Sequence, residues 1–179
     1  AYGRNAIQKT KEKAESMGIR VLYGDTDSVF LDNPSKEQQD ELVAWSSKDL
    51  GIDLEVEKTY KYVALSDRKK HYIGVYKDGK VEVKGLSGMK RNTPDYAQVA
   101  FRKMLEVLSR VDDPEGFEAA KGEIREIVNN VLDRLEQNPP AYTPEELAFR
   151  IQLTKPLHAY DTDIPHVRAA KKLVEVTSD

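Results

Sequence analysis

Two carboxylates, Asp25 and Asp27, stand two residues apart in Tyr23-Gly24-Asp25-Thr26-Asp27-Ser28, between the largely apolar runs 19–23 and 29–31. On a strand, side chains at i and i+2 point to one side, so both acids could face one spot. Hard oxygen ligands at a rigid turn suit Mg²⁺ or Mn²⁺, and Mg²⁺ typically takes one or two carboxylates and leaves the rest of its shell to water and phosphates. Three chemistries fit the pair alone. One is an ordinary polar turn, since Asp and Thr favour turns. The second is an Asp-x-Asp that holds a metal-bound nucleotide sugar for transfer. The third is phosphoryl transfer on nucleotides.

A second feature is charge. Between Lys58 and Arg91 lie ten basic residues and only three acids, a local charge of +7, although the whole chain carries −3. The basic set includes Lys69, Lys70, Lys84, Lys90 and Arg91. Such a stretch is either a solvated lysine-rich surface or an electrostatic footprint for a polyanion. His71, His158 and His166 are too scattered to suggest a metal site, and Trp45 reads as core.

The elements that must position these residues follow from local signals. Residues 4–17 read as a helix stopped by Gly18. The runs 19–23 and 29–31 read as a β-hairpin carrying the two aspartates at its tip. Ser35 with Gln38 forms a capping box that opens a second helix ending at Gly51. A strand is expected over 54–57, continuing through 62–65. A further hairpin, 70–76 with 80–84, turns at Asp78-Gly79. The rest is helical. Thr93 is expected to cap a helix beginning at Pro94. Asp113-Pro114 starts another, with a stripe at Phe117, Ala120, Ile124, Ile127, Val131 and Leu135. Thr143-Pro144 opens a short one, and a last helix follows Pro165. The pattern is α+β, an antiparallel sheet with packed helices over 1–92 followed by a helical unit over 93–179.

The bulk numbers fit a folded protein. Of 179 residues, 39% are hydrophobic and 33% charged, the range of a globular chain. No apolar run approaches the roughly 18 residues of a membrane span. There is no Cys, which excludes disulfides and thiolate metal sites. An intracellular, cytoplasmic protein is expected.

The string Val21-Leu22-Tyr23-Gly24-Asp25-Thr26-Asp27-Ser28-Val29 closely resembles the palm-domain metal motif of family B DNA polymerases. The resemblance runs along nearly the whole chain. Ala1-Tyr2-Gly3-Arg4 looks like the start of the helix before that hairpin in archaeal members. Leu54-Glu55-Val56-Glu57 looks like a strand that brings a further acid near the metals. Lys69-Lys70-His71-Tyr72 resembles a motif that contacts primer–template DNA, with His71 where Lys or Arg is common. Val83-Lys84-Gly85-Leu86 and Lys90-Arg91 look like the passage into the thumb. Leu153-Thr154-Lys155, and Pro165-His166-Val167 with Ala170 and Lys171, resemble thumb elements.

The resemblance implies an α+β palm half over 1–92 and a helical thumb, incomplete at its C-terminus, over 93–179. It implies two Mg²⁺ ions per assembled active site. Asp25 and Asp27 would be catalytic; Asp27 would be the leading metal ligand, with Asp25 and Glu57 behind it. Lys69, Lys70, Tyr72, Lys84, Lys90 and Arg91 would contact DNA. The implied activity is template-directed nucleotidyl transfer from dNTP to a primer 3′-OH. Two further palm motifs of the family, a second metal-binding aspartate and a helix that grips the triphosphate, precede the matched region. The expectation is therefore a chain inactive alone, the smaller polypeptide of a split polymerase or an excised fragment. Its partners would be a larger N-terminal polypeptide with the exonuclease and first palm half, primer–template DNA and dNTP. The rival expectation is a non-catalytic DNA-binding module derived from a polymerase.

Overall fold

The structure, a computed structural model, describes residues 2–177. The fold is α+β, and it divides into two compact units between Gly85 and Leu86.

The first unit opens with α1 (Tyr2–Ser16). It ends in a Schellman motif: the Ile19 N–H donates to Ala14 O at 3.0 Å and the Gly18 N–H to Glu15 O at 3.0 Å. Gly18 takes φ 77°, a left-handed conformation that costs glycine little. The motif turns Ile19 back onto Ala14, and these two with Leu42 form a buried cluster, while Val75 on the second sheet of the unit is buried as well. Met17, Val21, Leu31, Trp45 and Leu54 pack around the cluster. Trp45 is thus half-buried against the core.

Next comes the hairpin of β1 (Val21–Gly24) and β2 (Val29–Leu31). Its register pairs Val21 with Leu31 but Tyr23 with Phe30, so Leu22 bulges out of the ladder. Then α2 (Lys36–Trp45) begins at the expected capping box, in which the Ser35 hydroxyl accepts from the Gln38 N–H and the Gln38 side chain accepts from the Ser35 N–H. The Gln38 amide also donates to Met17 O at 3.0 Å, tying the start of α2 to the end of α1. A π-helical turn, Ser46–Leu50, prolongs the helix to Gly51, whose φ of 64° ends it.

The second sheet is antiparallel, β3 (Tyr62–Leu65), β4 (Tyr72–Val75) and β5 (Val81–Lys84), in the order β3-β4-β5. Between β4 and β5 the Tyr76–Lys80 backbone bond leaves Lys77, Asp78 and Gly79 as a three-residue turn. The Gly79 N–H donates to Tyr76 O and the Tyr76 N–H to Lys80 O, with Gly79 at φ 82°. This is a turn followed by a left-handed glycine, another common hairpin solution. The expected strand at 54–57 does not form. Leu54 packs on the helical core, but no strand among the described residues pairs with the segment, so alternation of apolar and acidic residues had no ladder to join.

The second unit is helical: α3 (Asp95–Ser109), α4 (Pro114–Glu136), α5 (Pro144–Leu147) and α6 (Pro165–Thr177), with short 3₁₀ turns at Ser87–Met89 and Leu157–Ala159. Asp113 caps α4 through the Gly116 N–H, and Thr143 with Glu146 caps α5. Thr93 does not cap α3. Pro94 is the N-cap, and the Thr93 hydroxyl instead donates to Ser87 O at 2.6 Å. Ala100, Val107, Val111, Ala120 and Val167 are buried. Tyr142 packs tilted against Tyr96, ring centroids 5.1 Å apart, and lies under the Arg134 guanidinium at 3.9 Å. No helix among the described residues is long and apolar enough to cross a membrane.

Candidate functional site

The hairpin tip fixes its two aspartates differently. The Asp25 N–H donates to Ser28 O at 2.9 Å, which closes the ladder and leaves Thr26 and Asp27 as a two-residue connection. Strand alternation therefore positions Asp25 but not Asp27, which rides on the turn. Asp25 Oδ1 accepts the Thr26 N–H at 2.8 Å and the Thr26 hydroxyl at 3.3 Å. Asp25 Oδ2 lies 3.6 Å from the Lys70 ammonium. The Thr26 backbone hydrogen bond, helped by Lys70 and opposed by partial burial, holds the Asp25 carboxyl below the usual carboxylate range. The side chain of Asp25 is only 16% exposed. Asp27 is exposed, and its carboxylate has no hydrogen-bonding or ion-pair partner among the described residues.

This donor set suits a hard divalent cation. One oxygen-only carboxylate is free on a rigid turn and a second stands two residues away. No group of three or more His, Cys, Asp or Glu side chains among the described residues could hold a metal. One free carboxylate, with a second beside it and the remaining positions left to water and phosphate, is nonetheless a partial shell that Mg²⁺ accepts. Glu57 is 72% exposed on the irregular segment before β3, where it pairs with Lys58 at 3.2 Å. The structure does not join it to the aspartates in one cluster.

The basic segment is fastened to this hairpin. The Lys70 N–H donates to the Tyr23 hydroxyl at 2.9 Å across 47 residues of sequence. Lys70 adopts φ 62°, uncommon for a residue with a Cβ. Its carbonyl and the His71 ring press against Gly85, itself at φ 72°, where a Cβ would clash with both. So Lys69-Lys70-His71-Tyr72 is a built loop beside the acidic turn. Lys69 is exposed and without a partner among the described residues. Tyr72 sits half-buried on β4. Lys84 is turned to Glu82 at 3.1 Å. In the second unit, Lys90 and Arg91 follow the Ser87–Met89 turn, exposed and with side chains unpaired among the described residues.

Sequence reasoning missed what holds these parts together. An aromatic chain runs from Tyr23 to Phe30 (5.6 Å), Phe30 to Tyr72 (5.1 Å) and Tyr60 (6.3 Å), and Tyr60 to Tyr76 (4.8 Å). The Tyr60 ring lies flat on β4 at Gly74, where a Cβ would come within 2.6 Å of Cδ1. At the far end the Glu82 carboxylate accepts from Tyr60 OH (2.8 Å), Tyr76 OH (2.7 Å) and Lys58 Nζ (2.9 Å). Burial would raise the Glu82 pKa; the hydrogen bonds from Tyr76, Lys58, Tyr60 and Lys84 outweigh it and bring it down to about 2. The one available signal was a lone acid, Glu82, in a strand flanked by lysines.

The profile of DNA polymerase family B matches residues 1–178. DNA polymerase 1 of Saccharolobus solfataricus is 42% identical over 174 residues, 97% of this chain and 20% of that protein. DNA polymerase 1 of Aeropyrum pernix is 33% identical over 174 residues, 97% of this chain and 18% of that protein. The family B DNA polymerase from the hyperthermophilic archaeon Pyrobaculum calidifontis superposes with a TM-score of 0.65 at 28% identity, over 97% of this chain and 21% of that one. The chain thus spans about one fifth of the length of the relatives it matches.

Proposed function

The chain belongs to DNA polymerase family B, and from that premise we propose that it supplies a metal-binding hairpin and duplex contacts to template-directed nucleotidyl transfer from dNTP to a primer 3′-OH. Residues 1–92 would be the later half of a palm and 93–179 a thumb, a boundary seven residues beyond the division between the two compact units. The observation that carries this reading is the hairpin itself. It presents Asp27, unpartnered among the described residues, on a closed turn beside an Asp25 whose orientation is fixed.

Asp27 would hold Mg²⁺, with Asp25 adjacent and Glu57 contributing negative potential. When bound, two divalent ions activate the 3′-OH and neutralise charge on the triphosphate. Each residue of this chain has a narrower task. The Asp25–Ser28 backbone bond fixes the turn, so Asp27 need not be ordered at the moment of reaction. Lys69 offers a duplex phosphate an ammonium that is unpaired among the described residues, and Lys90 and Arg91 offer such cations in the second unit. Lys84 and the Lys70-Tyr72 segment add to the basic field. Such contacts fix register without reading sequence. The Tyr23–Lys70 bond links the phosphate-contacting loop to the metal-binding turn.

The partner implied is the larger remainder of the polymerase, carrying the triphosphate-gripping residues and another metal ligand. The test is primer extension with Mg²⁺, using the chain alone and mixed with that remainder. Extension only by the mixture is expected. Extension by the chain alone contradicts the division of labour. DNA binding without extension by a mixture shown to assemble leaves a non-catalytic binding module.

A further inference from the structure

Resting on the reading that the hairpin holds a divalent cation, we infer that Lys70 is a built-in counter-ion that keeps Asp25 out of the metal shell and leaves Asp27 as the ligand. Both Asp25 oxygens are engaged from within the protein, Oδ1 by the Thr26 amide and hydroxyl and Oδ2 by the Lys70 ammonium at 3.6 Å. Asp27 has no such partners among the described residues.

The ion pair alone would be weak evidence, because the Lys70 side chain is 69% exposed and surface pairs contribute little. Its backbone makes the placement specific. Lys70 is held at φ 62°, its N–H is fixed by the Tyr23 hydroxyl at 2.9 Å, and its carbonyl is seated on Gly85. Tyr23 also precedes Asp25 by two residues on the hairpin. The same few residues therefore anchor both the ammonium and the carboxylate it faces.

Two consequences follow. A cation at the turn meets a single free carboxylate and a neighbouring positive charge, so metal binding by this chain is weaker than two free carboxylates would give. It also makes Lys70 a positioning residue, distinct from Lys69, whose ammonium is free for phosphate.

The test is Mn²⁺ binding to the 179-residue chain without DNA, with free Mn²⁺ read by electron paramagnetic resonance at low ionic strength. Lys70→Gln should bind about three- to tenfold more tightly, the scale of a unit charge acting on a divalent ion through partly exposed surroundings. The gain should vanish when Asp25→Asn is added, and Lys70→Arg should keep the wild-type affinity. Unchanged folding is read from Trp45 fluorescence. Equal affinity of wild type and Lys70→Gln overturns the inference, as does absence of detectable binding by either. Failure of the underlying reading looks different: Asp27→Asn would leave wild-type Mn²⁺ binding unchanged.

Discussion

Replacing Glu82 with Gln should destabilise the first unit by an amount that depends on pH in a defined way. Glu82 is 18% exposed and accepts from two tyrosine hydroxyls and two ammonium groups. Its pKa falls from an ordinary 4.5 to about 2. At ~1.4 kcal/mol per pH unit that displacement corresponds to ~3 kcal/mol, which solvent access to the rim of the cluster reduces to about 2 kcal/mol. The folded-state pKa lies below the unfolded one. The stabilisation is therefore complete above about pH 4.5 and is lost as the pH falls towards about 2. Gln keeps the shape and one acceptor but removes the charge. Urea unfolding followed by Trp45, the only tryptophan and packed against this unit's core, reads the effect directly. The wild type should exceed Glu82→Gln by about 2 kcal/mol at pH 7, with the difference closing between pH 4.5 and 2. A difference below about 0.5 kcal/mol at pH 7, or one that does not change with pH, would refute the assignment of Glu82 as the anchor.

Two further outcomes are expected. Gly74→Ala should displace the Tyr60 ring and cost about 1–3 kcal/mol in the same urea assay, as overpacking does; an unchanged midpoint would mean the ring does not rest on β4. In the assembled polymerase, Lys69→Ala should lower the slope of log affinity against log salt for duplex DNA by about 0.9, uniformly across sequences. An unchanged slope would make Lys69 solvated surface.

Features carried by neighbouring residues were legible in the sequence. The Ser35–Gln38 capping box, the Gly18 stop and the acidic hairpin each depend on a few adjacent positions, and each stands in the structure. Two local readings failed where a competing partner won. Thr93 gave its hydroxyl to Ser87 rather than to a helix start, and 54–57 had the alternation of a strand without a strand to pair with. Asp27 lies off the strand alternation because the Asp25–Ser28 bond closes the ladder before it. What no local signal could supply was the set of long-range ties. Tyr23 meets Lys70 across 47 residues, and Glu82 gathers Lys58 and Tyr60 across 24 and 22. Both sites depend on tertiary packing of segments that carry only ordinary aromatic and charged residues.

We propose Asp27 as the catalytic metal ligand of this chain. This role is tested most directly by single-turnover nucleotide incorporation at saturating primer–template and dNTP, in the assembled polymerase carrying Asp27→Asn. A loss of at least about a thousandfold, ~4 kcal/mol on the barrier, is expected, with DNA affinity retained. Incorporation at a near wild-type rate would contradict it.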